Sequence, residues 1–291
     1  MLRRAALIGA ILCAVTGADG RAALLEPAPA APPPRRVVSL NPCLDAILMQ
    51  VADPGQITAL SRYSRQPSQS AVWAQARRFP FTHGSGEEIV ALQPDLVLGS
   101  GMGAAELTHI LPRLHIRQES FGVPSSIKAS AAQVTRVAAL VGHPERGVVL
   151  NARIEAAFLA AAPRPGEPRL HALIYEGHGL ASGPHTLMDE LMRRTGFDNL
   201  APRYGLKRTM DVPLERLIAD PPQVLLSGRL SPDEPSWADR VLSHPALRTL
   251  APHMLRESFP EQLMFCAGPV LIPAAAALLR ARIDAEHGVS R

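Results

Sequence analysis

Residues 87–101 read EEIVALQPDLVLGSG, and residues 215–229 read ERLIADPPQVLLSGR. The two segments lie 128 positions apart, the difference between Pro94 and Pro222. Each segment predicts a short amphipathic helix, a proline that stops it, and a run of strand length that is wholly apolar. A continuous apolar strand is typical of one that is buried on both faces of a parallel sheet. The repeat therefore predicts two similar α/β lobes.

Strand and helix patterns alternate on both sides of the repeated segments. Residues 36–40 (RVVSL) predict a buried strand, and residues 41–51 (NPCLDAILMQV) predict a helix with Asn41 as its N-cap. Near the other end, residues 261–268 (EQLMFCAG) predict a strand that runs into a turn. This alternation favours parallel sheets with helices on both faces.

The chain of 291 residues divides into five predicted segments. Residues 1–20 combine a basic start, a short apolar run and small residues, which is the pattern of a secretory signal peptide. Residues 21–34 form a Pro/Ala-rich leader that is unsuited to a packed core. The remaining segments are an N-terminal α/β lobe (35–125), an interlobe helical linker (126–166) and a C-terminal α/β lobe (167–291). Within the linker, residues 144–162 predict one helix about 28 Å long.

Composition and motifs narrow the class of function. The formal net charge is +4 and no run of five like charges occurs, so nucleic-acid binding has little support. The sequence contains no G-x-S-x-G elbow, no phosphate loop and no H-E-x-x-H motif. We therefore expect no catalytic residues, no resident cofactor and no enzyme activity.

One glycine-rich stretch keeps an enzyme alternative open. Gly99, Gly101 and Ala104 follow a strand and precede a helix, and Glu119 lies further on, which approximates a dinucleotide-binding fingerprint. The strand is not the first of its lobe, however, and the helix is short. An exported NAD-type oxidoreductase that uses Gly99 to Ala104 is the resulting alternative.

Two cysteines remain once a signal peptide is removed. Cys43 and Cys266 lie 223 positions apart and would join the first strand region to the last if they were bonded. The alternative is two separate thiols. No second Cys or paired His lies at zinc-ligand spacing, so we predict no metal site.

The ordered set of these segments resembles a known family. RVVSLNPCLDAIL, EEIVALQPDLVLGSG, the single interlobe helix, LASGPHTLMDELMRRTG and VPLERLIADPPQVLLSG together resemble the periplasmic substrate-binding proteins of ABC importers. The similar branch has a helical hinge (class III) and carries ferric siderophores, haem and vitamin B12. The resemblance implies two Rossmann-like α/β lobes, joined by a single long α-helix, with a ligand cleft between the lobes.

The resemblance also implies a location and partners. It places the chain in the periplasm, as an expected monomer that delivers a metal chelate to an ABC transporter permease dimer in the inner membrane. One glutamate on each lobe would dock onto the permease, and the matching positions are Glu87 and Glu215. The alternative is that both are ordinary exposed glutamates favoured by a helix dipole.

Ligand contacts are expected at strand ends and in the loops that follow them. The predicted ligand-binding residues are Asn41, Arg62, Tyr63, Arg65, His83, Ser100, Gly101 and Met102 in the first lobe, and His178, Ser182, Lys207, Arg208 and Arg229 in the second. Tyr63 resembles an aromatic that contacts the corrin in B12-binding relatives, but Ser100 and Thr209 stand where tryptophans would be expected. The arginines favour an anionic ligand, because guanidinium groups pair with carboxylates or phosphates.

The predicted ligand is a chelate rather than a bare ion. A ferric siderophore-type iron complex is slightly preferred over a corrinoid such as vitamin B12, because the predicted contacts are basic and poor in aromatics. His83 and His178, if they faced each other, would be able to ligate iron or haem. A haem or metal chaperone that works without a permease is the second alternative.

Overall fold

The computed structural model describes residues 32–101, 105–176, 179–228, 245 and 254–288. The predicted signal peptide and most of the predicted leader lie outside these ranges. In the part of the chain that is described, no helix is long and apolar enough to cross a membrane.

The first lobe contains a sheet of five strands that are all parallel. The strands are β1 (Val37–Ser39), β2 (Ile57–Ser61), β3 (Phe81–Thr82), β4 (Leu96–Ser100) and β5 (Arg117–Phe121), in the order β3-β2-β1-β4-β5. The apolar residues of β1 and β4 are fully buried. The predicted parallel sheet is confirmed in this lobe.

Helices connect these strands. They are α1 (Pro42–Val51), α2 (Trp73–Ala76), α3 (Gly86–Ala91) and α4 (Ala105–Ile110). The side-chain oxygen of Asn41 accepts hydrogen bonds from the backbone N–H of Cys43 at 2.9 Å and of Leu44 at 3.3 Å, so the predicted N-cap of α1 is confirmed. The polar segment after β2 is not wholly irregular, because Arg62–Arg65 forms a 3₁₀ turn.

Two helices form the link between the lobes. They are α5 (Ile127–Leu140) and α6 (Pro144–Ala161), with Gly142 at a φ of 86° in the turn between them. Gly147 lets α6 lie close to α5, since a β-carbon at this position would stand 2.7 Å from the Ala138 side chain. At 18 residues, α6 is about 27 Å long. Its buried face belongs to a hydrophobic core that includes residues of both lobes.

The second lobe repeats the layout with a mixed sheet. Its strands are β6 (Leu170–Tyr175), β7 (Leu180–Ala181), β8 (Phe197–Asn199), β9 (Met210–Asp211), β10 (Val224–Ser227) and β11 (Leu255–Ser258). Its described residues include the helices α7 (Leu187–Arg194), α8 (Leu214–Ala219) and α9 (Leu271–Glu286). The order is β11-β10-β6-β7-β9, and β8 also pairs with β6.

Pairing in the second lobe departs from the expected parallel arrangement. The strands β8, β10 and β11 are parallel to their neighbours, whereas β7 is antiparallel to both β6 and β9. Only a short loop separates β6 from β7, and a short loop permits an antiparallel pair but not a parallel crossover. Two-residue strands of this kind leave little periodicity in the sequence.

The repeated segments occupy equivalent places in the two sheets. The strand β4 lies between β1 and β5, and β10 lies between β6 and β11. Each is preceded by a helix of six residues, α3 or α8. The prediction of two similar α/β lobes is therefore confirmed.

The strand predicted over residues 261–268 is wrong. Among the described residues the last strand is β11, and Glu261–Leu263 forms a 3₁₀ turn instead. Leu263 and Cys266 are buried by packing into the core that the lobes share, not by pairing with a strand, and Ala267 is buried as well. A buried irregular segment and a buried strand have the same apolar composition, so the sequence pattern does not separate them.

Candidate functional site

A cavity of about 470 Å³ lies between the two lobes. Its lining in the first lobe comprises Asn41, Cys43, Leu44, Ser100 and residues 121–125, and Gln133 of α5 joins them. Its lining in the second lobe comprises Glu176, Ser182, residues 185–188, Thr209 and residues 264–267. The cavity is thus a cleft that neither lobe forms alone.

Strand ends of the first lobe supply one wall of the cleft. Asn41 follows β1, Ser100 ends β4, and residues 122–125 follow β5. The carboxyl ends of parallel strands meet at one edge of a sheet, where open α/β sheets bind ligands. The side-chain amide of Gln133 donates to the carbonyl of Gly122 at 3.0 Å and fixes the segment after β5.

A buried carboxylate shapes the wall from the second lobe. Asp189 is only 6% exposed and accepts hydrogen bonds from the backbone N–H of His185 at 3.2 Å and from the Asn199 amide at 3.1 Å. The same Asn199 amide donates to the carbonyl of Ser182 at 2.9 Å. His185 adopts a left-handed conformation with a φ of 60°, which is uncommon for a residue with a side chain. Asp189 and Asn199 therefore hold Ser182 and His185 at the cavity wall.

Polar side chains accompany these two residues. The hydroxyl of Ser182 donates to a carboxylate oxygen of Glu176 at 3.1 Å. Gly183 lies against the backbone of Arg208, because a β-carbon there would stand 2.3 Å from the Arg208 carbonyl oxygen. This close approach places the following residue, Thr209, in the cavity wall.

The floor of the cleft carries a disulfide. The Cys43 and Cys266 sulfurs are bonded, at 2.11 Å, and the two Cα atoms lie 5.0 Å apart. The structure thus contains the bonded alternative rather than two separate thiols. Beside it, the backbone N–H of Gly268 donates to the Ser130 hydroxyl at 2.9 Å.

The predicted ligand-binding residues fall into three groups. Three of them line the cavity: Asn41, Ser100 and Ser182. Seven lie outside its lining: Arg62, Tyr63, Arg65, His83, Gly101, Lys207 and Arg208. Three lie outside the described residues: Met102, His178 and Arg229.

Sheet order explains most of the second group. The turn that carries Arg62, Tyr63 and Arg65 follows β2, and His83 follows β3. Both strands lie on the far side of β1 from β4 and β5, whose ends line the cavity. These four residues therefore lie at the same edge of the sheet as the cavity. They follow strands that are separated by β1 from the strands whose ends line it.

The side chains of Arg62 and Arg65 contact aromatic rings within the first lobe. The Arg62 guanidinium donates to the Tyr63 hydroxyl at 2.8 Å and lies 4.7 Å from the centre of the Tyr63 ring. The Arg65 guanidinium lies 4.8 Å from the centre of the Phe81 ring. In these positions the arginines form cation–π pairs on the first lobe.

A buried aspartate anchors the turn that carries them. Asp45 of α1 is fully buried and accepts hydrogen bonds from the Ser61 N–H at 2.8 Å and from the Ser64 hydroxyl at 2.5 Å. Burial raises the pKa of Asp45 from 3.8 to about 7, although hydrogen bonds from Ser39, Ser64 and Ser61 oppose the rise.

The predicted docking residues are exposed at helix starts. Glu87 is the second residue of α3 and Glu215 is the second residue of α8. Neither carboxylate has a hydrogen-bond or ion-pair partner among the described residues. Adjacent Glu88 differs, because its carboxylate accepts hydrogen bonds from the Thr82 hydroxyl at 2.6 Å and the His83 N–H at 2.7 Å. These bonds, led by that of Thr82, lower the pKa of Glu88 to about 2.

Several lining residues were missed by the sequence reasoning. They include Gln133, Glu176, His185 and Phe265. Of these, His185 had a usable signal, since it directly precedes Thr186, the N-cap of α7, at the end of a loop that follows a strand. In the stretch of sequence between β6 and α7, the prediction chose His178 instead.

The lining carries little charge in the part of the chain that is described. Its titratable side chains there are Glu176 and His185, and no lysine or arginine is among them. The expected basic lining is therefore not seen in this cavity. Among the described residues, no three His, Cys, Asp or Glu side chains converge so as to hold a metal ion.

Known proteins share the fold. The periplasmic haem-binding protein RhuT from Roseiflexus sp. RS-1 has 22% sequence identity and a TM-score of 0.65, over 85% of this chain and 98% of that one. The vitamin B12-binding protein BtuF of Vibrio cholerae has 15% identity and a TM-score of 0.64, over 87% and 98%. The CeuE protein of Helicobacter pylori, solved as a nickel–histidine complex, has 18% identity and a TM-score of 0.64, over 89% and 86%. No curated protein sequence matches significantly.

A family match agrees with the two lobes and their cleft. The family described as "Periplasmic binding protein" matches residues 37–251, which is most of the chain. Its members bind solutes and are not enzymes, which confirms the prediction of no enzyme activity. The chain belongs to the periplasmic binding protein family.

Proposed function

We propose that this protein is a periplasmic receptor that captures a metal chelate in the cleft and delivers it to the permease of an ABC importer. The observation that carries the proposal is the cavity formed jointly by the two lobes. Binding of a ligand that contacts both walls at once depends on the relative position of the two lobes as well as on their side chains. Three similar structures are named for haem, vitamin B12 and a nickel–histidine complex, which are all metals held by organic ligands.

The character of the lining bears on which chelate is taken. Leu44, Val123, Met188 and Met264 make much of the described lining apolar, and Val123 is 84% exposed at the wall. Ser182, Thr186 and Thr209 offer hydroxyl groups from the second lobe. This mixture suits a chelate with a broad apolar face and a polar edge, as in a corrinoid or haem-type macrocycle. A strongly anionic ferric siderophore would instead have to draw on arginines outside the lining.

Delivery to a permease rests on the two exposed acids. Glu87 and Glu215 occupy matching places on the two lobes, so a two-fold symmetric permease with basic patches would meet one acid on each side. Periplasmic location follows from the same proposal, with residues 1–20 as the export signal. The protein works in this scheme as a monomer.

A binding titration tests the proposal. The exported protein would be titrated with haem, cyanocobalamin and a ferric hydroxamate siderophore, and binding would be followed by absorbance and calorimetry. We expect one of the three to bind at 1:1 stoichiometry with a Kd of about 1 μM or lower, and its metal-free form to bind more weakly. Failure of all three probes to bind would overturn the assignment to metal chelates.

A further inference from the structure

The disulfide links the two lobes across the cleft that lies between them. Cys43 belongs to α1 of the first lobe, and Cys266 lies in the second lobe, just before α9. Both residues also line the cavity. The bond is therefore an interlobe tether and at the same time part of the surface that a ligand would touch.

Close packing surrounds this tether. A β-carbon at Gly268 would stand 2.8 Å from the Ile47 side chain of α1, and Gly268 itself has a φ of 65°. Its backbone N–H donates to the buried hydroxyl of Ser130 on α5. Residues 264–268 are thus fixed to the first lobe and to the linker within a few residues of the disulfide.

We infer that the Cys43–Cys266 disulfide is a positioning element of the binding site, which sets the spacing between the cleft walls and makes ligand capture sensitive to reduction. The inference rests on the proposed function for its effect on affinity. A tether that holds the walls in the binding geometry lowers the conformational cost of binding, which is the general benefit of preorganisation. Without the bond, only non-covalent contacts such as those of Gly268 and the core packing of Cys266 hold the floor among the described residues.

The two cysteines differ in exposure, which decides the course of reduction. Cys43 is partly exposed on the cavity side, whereas Cys266 is only 6% exposed. A thiolate of a dithiol reductant attacks the Cys43 sulfur, and the S–S bond breaks to release Cys266 as a thiolate that takes up a proton. The second thiol of the reductant then displaces Cys43 as a thiol and closes a cyclic disulfide. Two electrons pass from the reductant to the protein.

Ligand binding and reduction should oppose each other. A ligand that rests on the floor covers the exposed side of Cys43 and blocks the attacking thiolate. If reduction weakens binding, bound ligand must in turn favour the oxidised form by the same factor, because the two equilibria are linked. The reciprocal effect offers a second measurement of the same coupling.

Hydrogen exchange without ligand provides the first test. Amide exchange of residues 41–48 and 264–268 would be compared between oxidised protein and protein reduced with dithiothreitol and then alkylated. We expect amide exchange to be at least tenfold faster in the reduced form than in the oxidised form. The double variant Cys43→Ser/Cys266→Ser should exchange as fast as the reduced form, and reductant should not change its rate. Equal exchange rates in the oxidised and reduced forms would overturn the inference, whichever ligand the protein binds.

Affinity provides the second test. The probe that binds oxidised protein, whether haem, cobalamin or ferric siderophore, should bind the reduced form about tenfold more weakly, and bound probe should slow reduction by dithiothreitol. An unchanged Kd after reduction would contradict the inference while leaving the proposed function intact. If no probe binds oxidised protein, the proposed function fails, and the exchange comparison still decides whether the disulfide fixes the floor. Reduced wild-type protein serves for both tests if the double serine variant does not fold.

Discussion

Glu87 and Glu215 occupy the same position in the two halves of the molecule. Each is the second residue of a six-residue helix that leads into the strand beside the first strand of its lobe. The two residues are 128 positions apart, as are Leu96 and Val224, the first residues of β4 and β10. The internal repeat in the sequence thus places one exposed carboxylate at a matching site on each lobe.

Charge reversal at these two positions should abolish delivery without affecting capture. If the two acids dock onto basic permease patches as proposed, we expect Glu87→Lys/Glu215→Lys to reduce uptake of the bound chelate by at least tenfold, because each attraction would become a repulsion. Each single variant should have a smaller effect, since one exposed ion pair contributes about 0.2–1 kcal/mol. Uptake in cells and Kd of the purified protein are the two measurements.

A matched control separates docking from general charge. Glu145→Lys makes the same change at an exposed position of α6, where the carboxylate makes only longer contacts of 3.6 and 4.0 Å. It should leave uptake unchanged. Normal uptake by the double variant would show that the docking assignment is wrong and would favour a chaperone that works without a permease.

Glu88 should behave unlike its neighbour Glu87. Its carboxylate holds Thr82, His83 and Gly84 together, and its pKa is lowered to about 2. A lowered folded-state pKa means that this group stabilises the fold above its unfolded value of 4.5, and that the contribution is lost as the pH falls towards 2. At pH 7 we expect Glu88→Gln to speed amide exchange of residues 82–84 at least threefold.

The adjacent position supplies the control for this prediction. Glu87→Gln removes a charge from the same helix but breaks no hydrogen bond in the part of the chain that the structure describes. Its exchange pattern should match that of the wild type. Equal effects of the two variants would mean that the hydrogen bonds of Glu88 do not hold the loop.

The sequence predicts well those features of the fold that depend on neighbouring residues. The strand and helix around Asn41 and the two repeated segments depend on apolar periodicity, an N-cap and a proline, which are all local signals. The strands β7 and β9 were not predicted, because a strand of two residues is too short to show the alternation of apolar and polar side chains. Residues 261–268 were wrongly predicted as a strand, because a segment buried against the other lobe has the same apolar composition as a strand buried in a sheet.

The binding cavity was harder to predict because it depends on strand order. Tyr63 and His83 follow strands at the correct sheet edge, but β2 and β3 lie beyond β1, away from the cavity. A single sequence gives no measure of which strand lies beside which. Conversely, Ser100 ends β4 and Ser182 follows β7, and the ends of these two strands do reach the cleft.

His185 should contribute directly to ligand affinity. It lines the cavity, and the hydrogen bond from its backbone to buried Asp189 holds it there in a left-handed conformation. We expect His185→Ala to weaken chelate binding about tenfold, with little change in stability because the side chain is exposed. Calorimetric Kd and thermal melting are the measurements.

An exposed histidine outside the cavity serves as the comparison. His83→Ala removes an imidazole that pairs with Glu88 at 3.0 Å, away from the lining. Its Kd should equal that of the wild type. A larger loss for His83→Ala than for His185→Ala would place the ligand over β3 instead of in the interlobe cavity.

Asp45 should make the stability of the protein depend on pH. Its pKa is about 7 in the fold against 3.8 unfolded, so the folded state holds the proton more tightly between these values. The free energy of unfolding therefore falls as the pH rises from about 4 to 7, since the unfolded chain gives up this proton first. About 3 pKa units correspond to roughly 4 kcal/mol.

Replacement of the carboxyl group isolates this contribution. Asp45→Asn keeps an acceptor oxygen for the Ser61 N–H and the Ser64 hydroxyl but cannot ionise. Urea unfolding from pH 4 to pH 8 should show wild type losing stability relative to this variant by up to about 4 kcal/mol. Ser64→Ala removes a hydrogen bond to the charged form and should raise the pKa further, so the loss of stability should continue to higher pH and be larger in total. Parallel pH profiles for wild type and Asp45→Asn would show that Asp45 ionises normally despite its burial.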